Sequence, residues 1–422
     1  MSFQFVVSFL LAITSVSAFI NYKFIKLPDS IGITFVTLVL SLILIILSKF
    51  GFHYDKPVAQ VFSSIDFPKT VTGYMLSFIL FASSMHINVN QMARFKWVII
   101  NLATIGVFIS TLIVALLTKY VLGFFGIDLP FIDCLLFGAV ISPTDPIAVL
   151  GILKNVNAKR SLEMKITGEA LFNDGVGIFL FATIVGIIES SQLNTNNSNN
   201  LFDNLNYGSL ILVFLREVVG GVATGVVLGL VASYFMKRVG DLNIALLFTL
   251  TLVTAGYSIA TELLHVSGPL AIVIAGLIVG AMFRKGKMPE RIVIRLEGVW
   301  ELIDELINAI LFVLIGFAVL FMYYELDMIL ISLAIVPCVL LARYISVSFP
   351  VLTMHQFRKF DSKSIFILTW GGLRGGVSIA LALSIPDFPD KDILLTMTYV
   401  VVLFSLLVQG LTLGPVIKKI MK

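Results

Sequence analysis

The sequence predicts an all-α polytopic membrane protein of about thirteen transmembrane helices, two of them broken and crossing, at spans 5 and 12. Three observations predict it. Of the 422 residues 58% are hydrophobic and only 13% charged, whereas soluble globular chains carry roughly 25% charged residues. Apolar runs long enough to cross a bilayer follow one another from end to end, for a mean hydropathy of +1.03. Two of these runs are interrupted by helix breakers, Pro143 and Pro146 in one and Gly371, Gly372, Gly375 and Gly376 in the other.

In order, hydropathy places spans at 3–22, 29–48, 70–88, 97–123, 129–154 and 160–189 in the first half. In the second half they fall at 207–237, 243–265, 267–285, 297–323, 327–354, 363–385 and 391–417. No Lys or Arg precedes Lys23, so the first run is expected to be a retained span rather than a signal peptide, although Ser15–Ala18 faintly resembles a cleavage site. Ser267-Gly268-Pro269 reads as a short turn between spans 8 and 9. In span 7, Gly221, Gly225 and Gly229 recur four apart, which suits close helix packing within the fold better than a dimer seam. No soluble regulatory domain is expected within residues 1–422, and the two cysteines, Cys134 and Cys338, both lie in apolar runs, where no disulfide framework or metal cluster is expected.

Basic residues orient the chain. With the N-terminus outside, 21 Lys and Arg fall in cytoplasmic segments and 5 in external ones, so the C-terminus is expected in the cytoplasm of a cell-membrane protein. The net charge of +4 belongs to this asymmetry and points to no nucleic-acid partner. The stretch 190–206 is rich in Asn and has no Lys or Arg, so it reads as an external loop, and Asn196-Asn197-Ser198 within it fits a glycosylation sequon. Six spans precede this loop and seven follow. Pairing span 5 with span 12 and span 6 with span 13 relates helices of opposite direction, the arithmetic of an inverted repeat.

Five of the charges within spans stand out as buried: Asp145, Glu169, Asp174, Arg343 and Arg374. An ionisable residue at the bilayer centre costs ~2.5–3.5 kcal/mol on insertion scales, so each requires a reason. Asp145 sits between the prolines of span 5, each of which drives the residue before it out of the helical region. Glu169, Asn173 and Asp174 lie together on span 6, with Glu169 and Asn173 on one face. Arg343 is alone in span 11 and is the expected partner of Glu169 in a structural ion pair. Arg374 lies among the glycines of span 12. Where two broken helices cross, half-helix N-termini face each other with partial positive charge and C-termini with partial negative charge. Asp145 can offset the former and Arg374 the latter. Asp145 can equally ligate a cation, as can the freed carbonyl of Thr144, and the residues leave both readings of Asp145 open. Three negative and two positive groups leave one carboxylate over, most simply Asp174. A buried carboxylate without a countercharge must take a proton or a cation. A site that holds one or the other exchanges them by competition.

These stretches resemble the monovalent cation:proton antiporter superfamily, and within it the NhaP-type sodium/proton antiporters and their animal NHE relatives. The resemblance rests on "SPTDPIAV" at 142–149, "GEALFNDGVGI" at 168–178, "LLHVSGPLAIVIAGLIVG" at 263–280, "ELINAILFVLIGF" at 305–317, "LLARY" at 340–344 and "GGLRGGVSIALAL" at 371–383. It implies a homodimer in membrane lipid, with core helices near 97–189 and 327–417 moving against scaffold helices near 1–88 and 207–323. It implies sodium, or another monovalent cation such as lithium or potassium, bound by Thr144 through its main chain, Asp145 and Asp174, with no cofactor and no enzymatic reaction. Asn173-Asp174 matches the motif of electroneutral one-for-one exchange, and Glu169 with Arg343 matches the bracing pair. Two departures stand out: Ala170 replaces a serine found in many members, and residues 73–92 lack the carboxylate some members place in span 3, offering only Ser83, Ser84 and His86. His86 by itself reads as a packed or interfacial histidine rather than a pH sensor. A cation channel and an intramembrane aspartyl protease using Asp145 and Asp174 are the alternatives, but no filter of carbonyl loops and no protease signature accompanies them.

Overall fold

The computed structural model describes residues 3–51, 68–155, 160–193, 207–321, 326–353 and 362–421, and all regular structure among them is helical. Helices satisfy every backbone group internally, which an apolar surrounding demands. The longer α-helices are, in order, α1 (Phe3–Ile20), α2 (Asp29–Lys49), α3 (Leu76–His86), α4 (Val107–Phe124), α5 (Phe131–Ile141), α6 (Ile147–Asn155), α7 (Arg160–Leu193) and α8 (Tyr207–Met236). There follow α9 (Leu242–Ser258), α10 (Gly268–Arg284), α11 (Glu290–Phe317), α12 (Leu326–Thr353), α13 (Ser362–Trp370), α14 (Gly376–Leu383), α15 (Lys391–Phe404) and α16 (Gly410–Met421).

Helix occupies part of every predicted span. Among the described residues, nine helical segments are long and apolar enough to cross a membrane, and α5 and α10 are shorter apolar helices. The chain is thus a multi-pass membrane protein. With 11 residues, α5 reaches only about 16 Å, roughly half of a hydrocarbon core about 30 Å thick. Spans 5 and 12 are each two half-helices, α5 with α6 and α13 with α14. The sequon at 196–198 lies outside the described residues.

The chain divides into two compact units. The first holds residues 1–71, 97–173 and 308–422. Its core draws one to three residues from many elements, among them Ile31 of α2, Val149 of α6, Leu368 of α13 and Leu413 of α16, all buried together with Leu373 of the span-12 break. The second unit holds residues 72–96 and 174–307. Trp300 of α11 is its largest buried side chain: its ring centroid lies 4.6 Å from that of Phe81, and its indole N–H donates to Thr249 Oγ1 at 3.0 Å. The glycines of α8 face α10. A Cβ on Gly221 would sit 2.9 Å from Ser267 O, and one on Gly225 would overlap Ala271 O, so these glycines serve packing within the unit.

Candidate functional site

The site starts from two interruptions. Pro143 and Pro146 lack backbone donors and disfavour helix at Ser142 and Asp145, so α5 stops at Ile141 and α6 resumes at Ile147. Glycines interrupt span 12 between Trp370 and Gly376. Both gaps expose peptide groups with no helical partner, and the gaps satisfy one another: Asp145 N donates to Leu373 O at 2.8 Å. Arg374, 2% exposed, donates through Nη1 to Pro143 O at 2.8 Å and also to Ser142 O, carbonyls at the C-terminal end of α5. The half-buried Asp145 lies on the opposite pole. A Cβ at Gly375, the cap of α14, would overlap Asp145 Oδ2, so glycine there admits the carboxylate beside a helix N-terminus.

Helix α7 brings three further predicted residues, all buried: Glu169, Asn173 and Asp174. Glu169 Oε1 pairs with Arg343 Nη1 at 2.5 Å, with side-chain exposures of 2% and 6%. Arg343 also reaches the span-12 break. Its Nη2 donates to Leu368 O at 3.4 Å, and a Cβ on Gly372 would lie 2.6 Å from its Nε. Asn173 Nδ2 donates to Thr144 Oγ1 at 2.7 Å, and Asn173 Oδ1 accepts no hydrogen bond among the described residues. A buried acceptor without a donor beside Thr144 suits a cation, which needs oxygen lone pairs and brings no hydrogen of its own. Asp174 follows on the same helix at the start of the second unit, with 5% exposure. Within the first unit the structure therefore assembles Thr144, Asp145, Glu169, Asn173, Arg343 and Arg374 around the joined breaks.

The departures are also placed. Ala170 is buried and supplies only a methyl group. In span 3, Ser84 Oγ donates to Phe81 O at 3.0 Å and is held in packing, whereas His86 is exposed, with its carbonyl accepting from Arg284 Nη1. Sequence reasoning did not single out Ser142, Ser405 or Gln409. Ser142 Oγ donates to Ser110 Oγ at 3.0 Å and accepts from Thr111 Oγ1 at 3.1 Å. Ser405 Oγ accepts from Arg374 N at 2.9 Å, and Gln409 Nε2 donates to Trp370 O at 3.1 Å. The available signal was polar residues four apart, Ser405 and Gln409, in the most apolar stretch of the final span.

Comparison with known proteins yields one family over most of the chain. Residues 8–419 match the model for the sodium/hydrogen exchanger, transmembrane. The chain is 40% identical to the Na(+)/H(+) antiporter NhaP of Pseudomonas aeruginosa over 415 residues, covering 97% of this chain and 95% of that one. It is 33% identical to the Na(+)/H(+) antiporter NhaH of Halobacillus aidingensis, covering 99% and 98%. Among solved structures, the sodium proton antiporter MjNhaP1 from Methanocaldococcus jannaschii at pH 8 shares the fold with a TM-score of 0.76 over 100% of both chains, at 21% identity.

Proposed function

This chain belongs to the sodium/hydrogen exchanger family, and from that premise we propose that it is a secondary antiporter exchanging a monovalent cation, sodium first, for protons across a membrane. The observation that carries the reading is the pair of joined helix breaks, with Asn173 Oδ1 left without a donor beside Thr144. In the proposed cycle, cation and proton compete for Asp174. The carbonyl of Thr144 and the carboxylate of Asp145 ligate the cation, and Asn173 fixes the Thr144 hydroxyl and carries no proton. Arg374 offsets the carbonyl end of α5 and Asp145 the amide end of α14. Glu169 and Arg343 brace the site without taking part in exchange. One proton for one cation follows if Asp174 alone changes partner, so exchange is electroneutral.

The transported ions are substrates. The cycle works by alternating access, with core helices near 97–189 and 327–417 moving against scaffold helices near 1–88 and 207–323 in a homodimer. The N-terminus lies outside a cell membrane and the C-terminus in the cytoplasm. The channel and protease alternatives gain nothing from the family match or from the joined breaks. The test is purified protein in proteoliposomes with a trapped pH dye: a sodium pulse should move protons in the opposite direction, and lithium and potassium pulses rank the cations. No cation-coupled pH change from folded protein would refute the reading.

A further inference from the structure

The final span widens between α15 and α16 into a single π turn, Ser405–Gln409, in which Gly410 N donates five residues back to Ser405 O. Four other π segments occur among the described residues, so the turn by itself singles out nothing, and its side-chain partners do. Both polar side chains of this one are buried, and both are spent on the span-12 break. Ser405 Oγ accepts from Arg374 N, and Gln409 Nε2 donates to Trp370 O. They meet the carbonyl of the last residue of α13 and an amide inside the break. They sit beside a void of ≈ 10 Å³ lined by Arg343, Gly372, Arg374 and Gln409, about room for one water. The Ser405–Arg374 bond is buried, so bulk solvent cannot replace it.

We infer that Ser405 and Gln409 are positioning residues for the cation site at Thr144 and Asp145, an inference that rests on reading that site as cation-binding. The two side chains hold the span-12 break from behind, and the front of that break holds the span-5 break. Leu373 O accepts from Asp145 N, and the Arg374 guanidinium grips the carbonyls of Ser142 and Pro143. A stranded Arg374 N–H must find another acceptor. In moving, it carries both grips with it and displaces Thr144 and Asp145. Neighbouring Thr412 supplies a contrast: it accepts from the Trp370 indole N–H at 3.0 Å, so it touches the same helix end through a side chain but no peptide group of the break.

The experiment measures sodium dependence of exchange in proteoliposomes at equal folded protein. Ser405→Ala and Gln409→Met should each raise the apparent KM for sodium about tenfold, the effect of one buried group left unpaired, with the maximal rate within about twofold. Ser405→Thr, which keeps the hydroxyl, should return KM to near the parental value, and Thr412→Val should leave KM parental. Should Ser405→Ala yield no folded protein, Gln409→Asn, one methylene too short to reach Trp370 O, provides the same test. A parental KM in Ser405→Ala and Gln409→Met, beside a parent that exchanges, overturns the inference. So does a Thr412→Val variant whose KM rises as much, because general loosening then explains both. A parent that moves no protons instead overturns the antiport reading, and with it the site these residues would position.

Discussion

Truncating either member of the Glu169–Arg343 pair tests whether these buried charges are structural. The pair is close, at 2.5 Å, and dry, with side-chain exposures of 2% and 6%. Removing one partner leaves the other charge buried, which costs about 3–5 kcal/mol. The two truncations should not be equal. Arg343 also donates to Leu368 O near the end of α13, so Arg343→Ala should exceed Glu169→Ala by about 1 kcal/mol, the net worth of one hydrogen bond. The double variant strands no charge and should cost about 2–3 kcal/mol less than the sum of the singles. Unfolding in mixed micelles of rising SDS fraction reads these differences, and sodium KM on the surviving folded fraction reads function. Singles as stable as the parent, or additive energies, would refute the pairing. A folded Glu169→Ala protein that binds no sodium would place Glu169 in the cation site instead.

Four further outcomes follow from the same geometry. Asp174→Ala should abolish sodium/proton exchange while the protein remains folded, and residual coupled flux would remove Asp174 as the exchanging carboxylate. Asn173→Leu removes the bond to Thr144 Oγ1 and should raise sodium KM with little loss of folded protein; an unchanged KM would leave that bond without a role in binding. Steady exchange should not respond to an imposed membrane potential, and a potential-driven change would rule out one-for-one stoichiometry. If cation and proton compete at Asp174, acidifying one side should raise KM on that side, by about tenfold per pH unit (~1.4 kcal/mol) in the acid limb, with maximal rate nearly constant. His86→Ala should keep that dependence; a pH-independent KM with a falling maximal rate would point to a proton switch elsewhere.

Much of the architecture was legible because membrane insertion writes it into local composition. Length of apolar run decides span, and Pro143, Pro146 and the glycines at 371–376 decide where two spans must break. The cost of a buried charge likewise singles out Asp145, Glu169, Asp174, Arg343 and Arg374 without any knowledge of their neighbours. Glu169 could be matched to Arg343 because few buried countercharges exist to choose from.

Neutral groups offer no such economy. Nothing local says that Asn173 reaches Thr144, that the amide of Asp145 finds the carbonyl of Leu373, or that Ser405 and Gln409 serve peptide groups more than thirty residues away. A Ser or Gln in an apolar helix has many acceptable partners, including its own preceding turn, as Ser84 has in Phe81. The tertiary structure chooses among them, because a broken helix in a dry interior must have each freed peptide group met by whatever packs beside it. The sequence by itself determined that the chain crosses a membrane many times, where two spans break, and four of the charges that are buried, Glu169, Asp174, Arg343 and Arg374. It passed over the buried Asp133, and Asp145 is only half-buried. Only the tertiary structure decided which backbone groups join the two breaks and which neutral side chains hold them there.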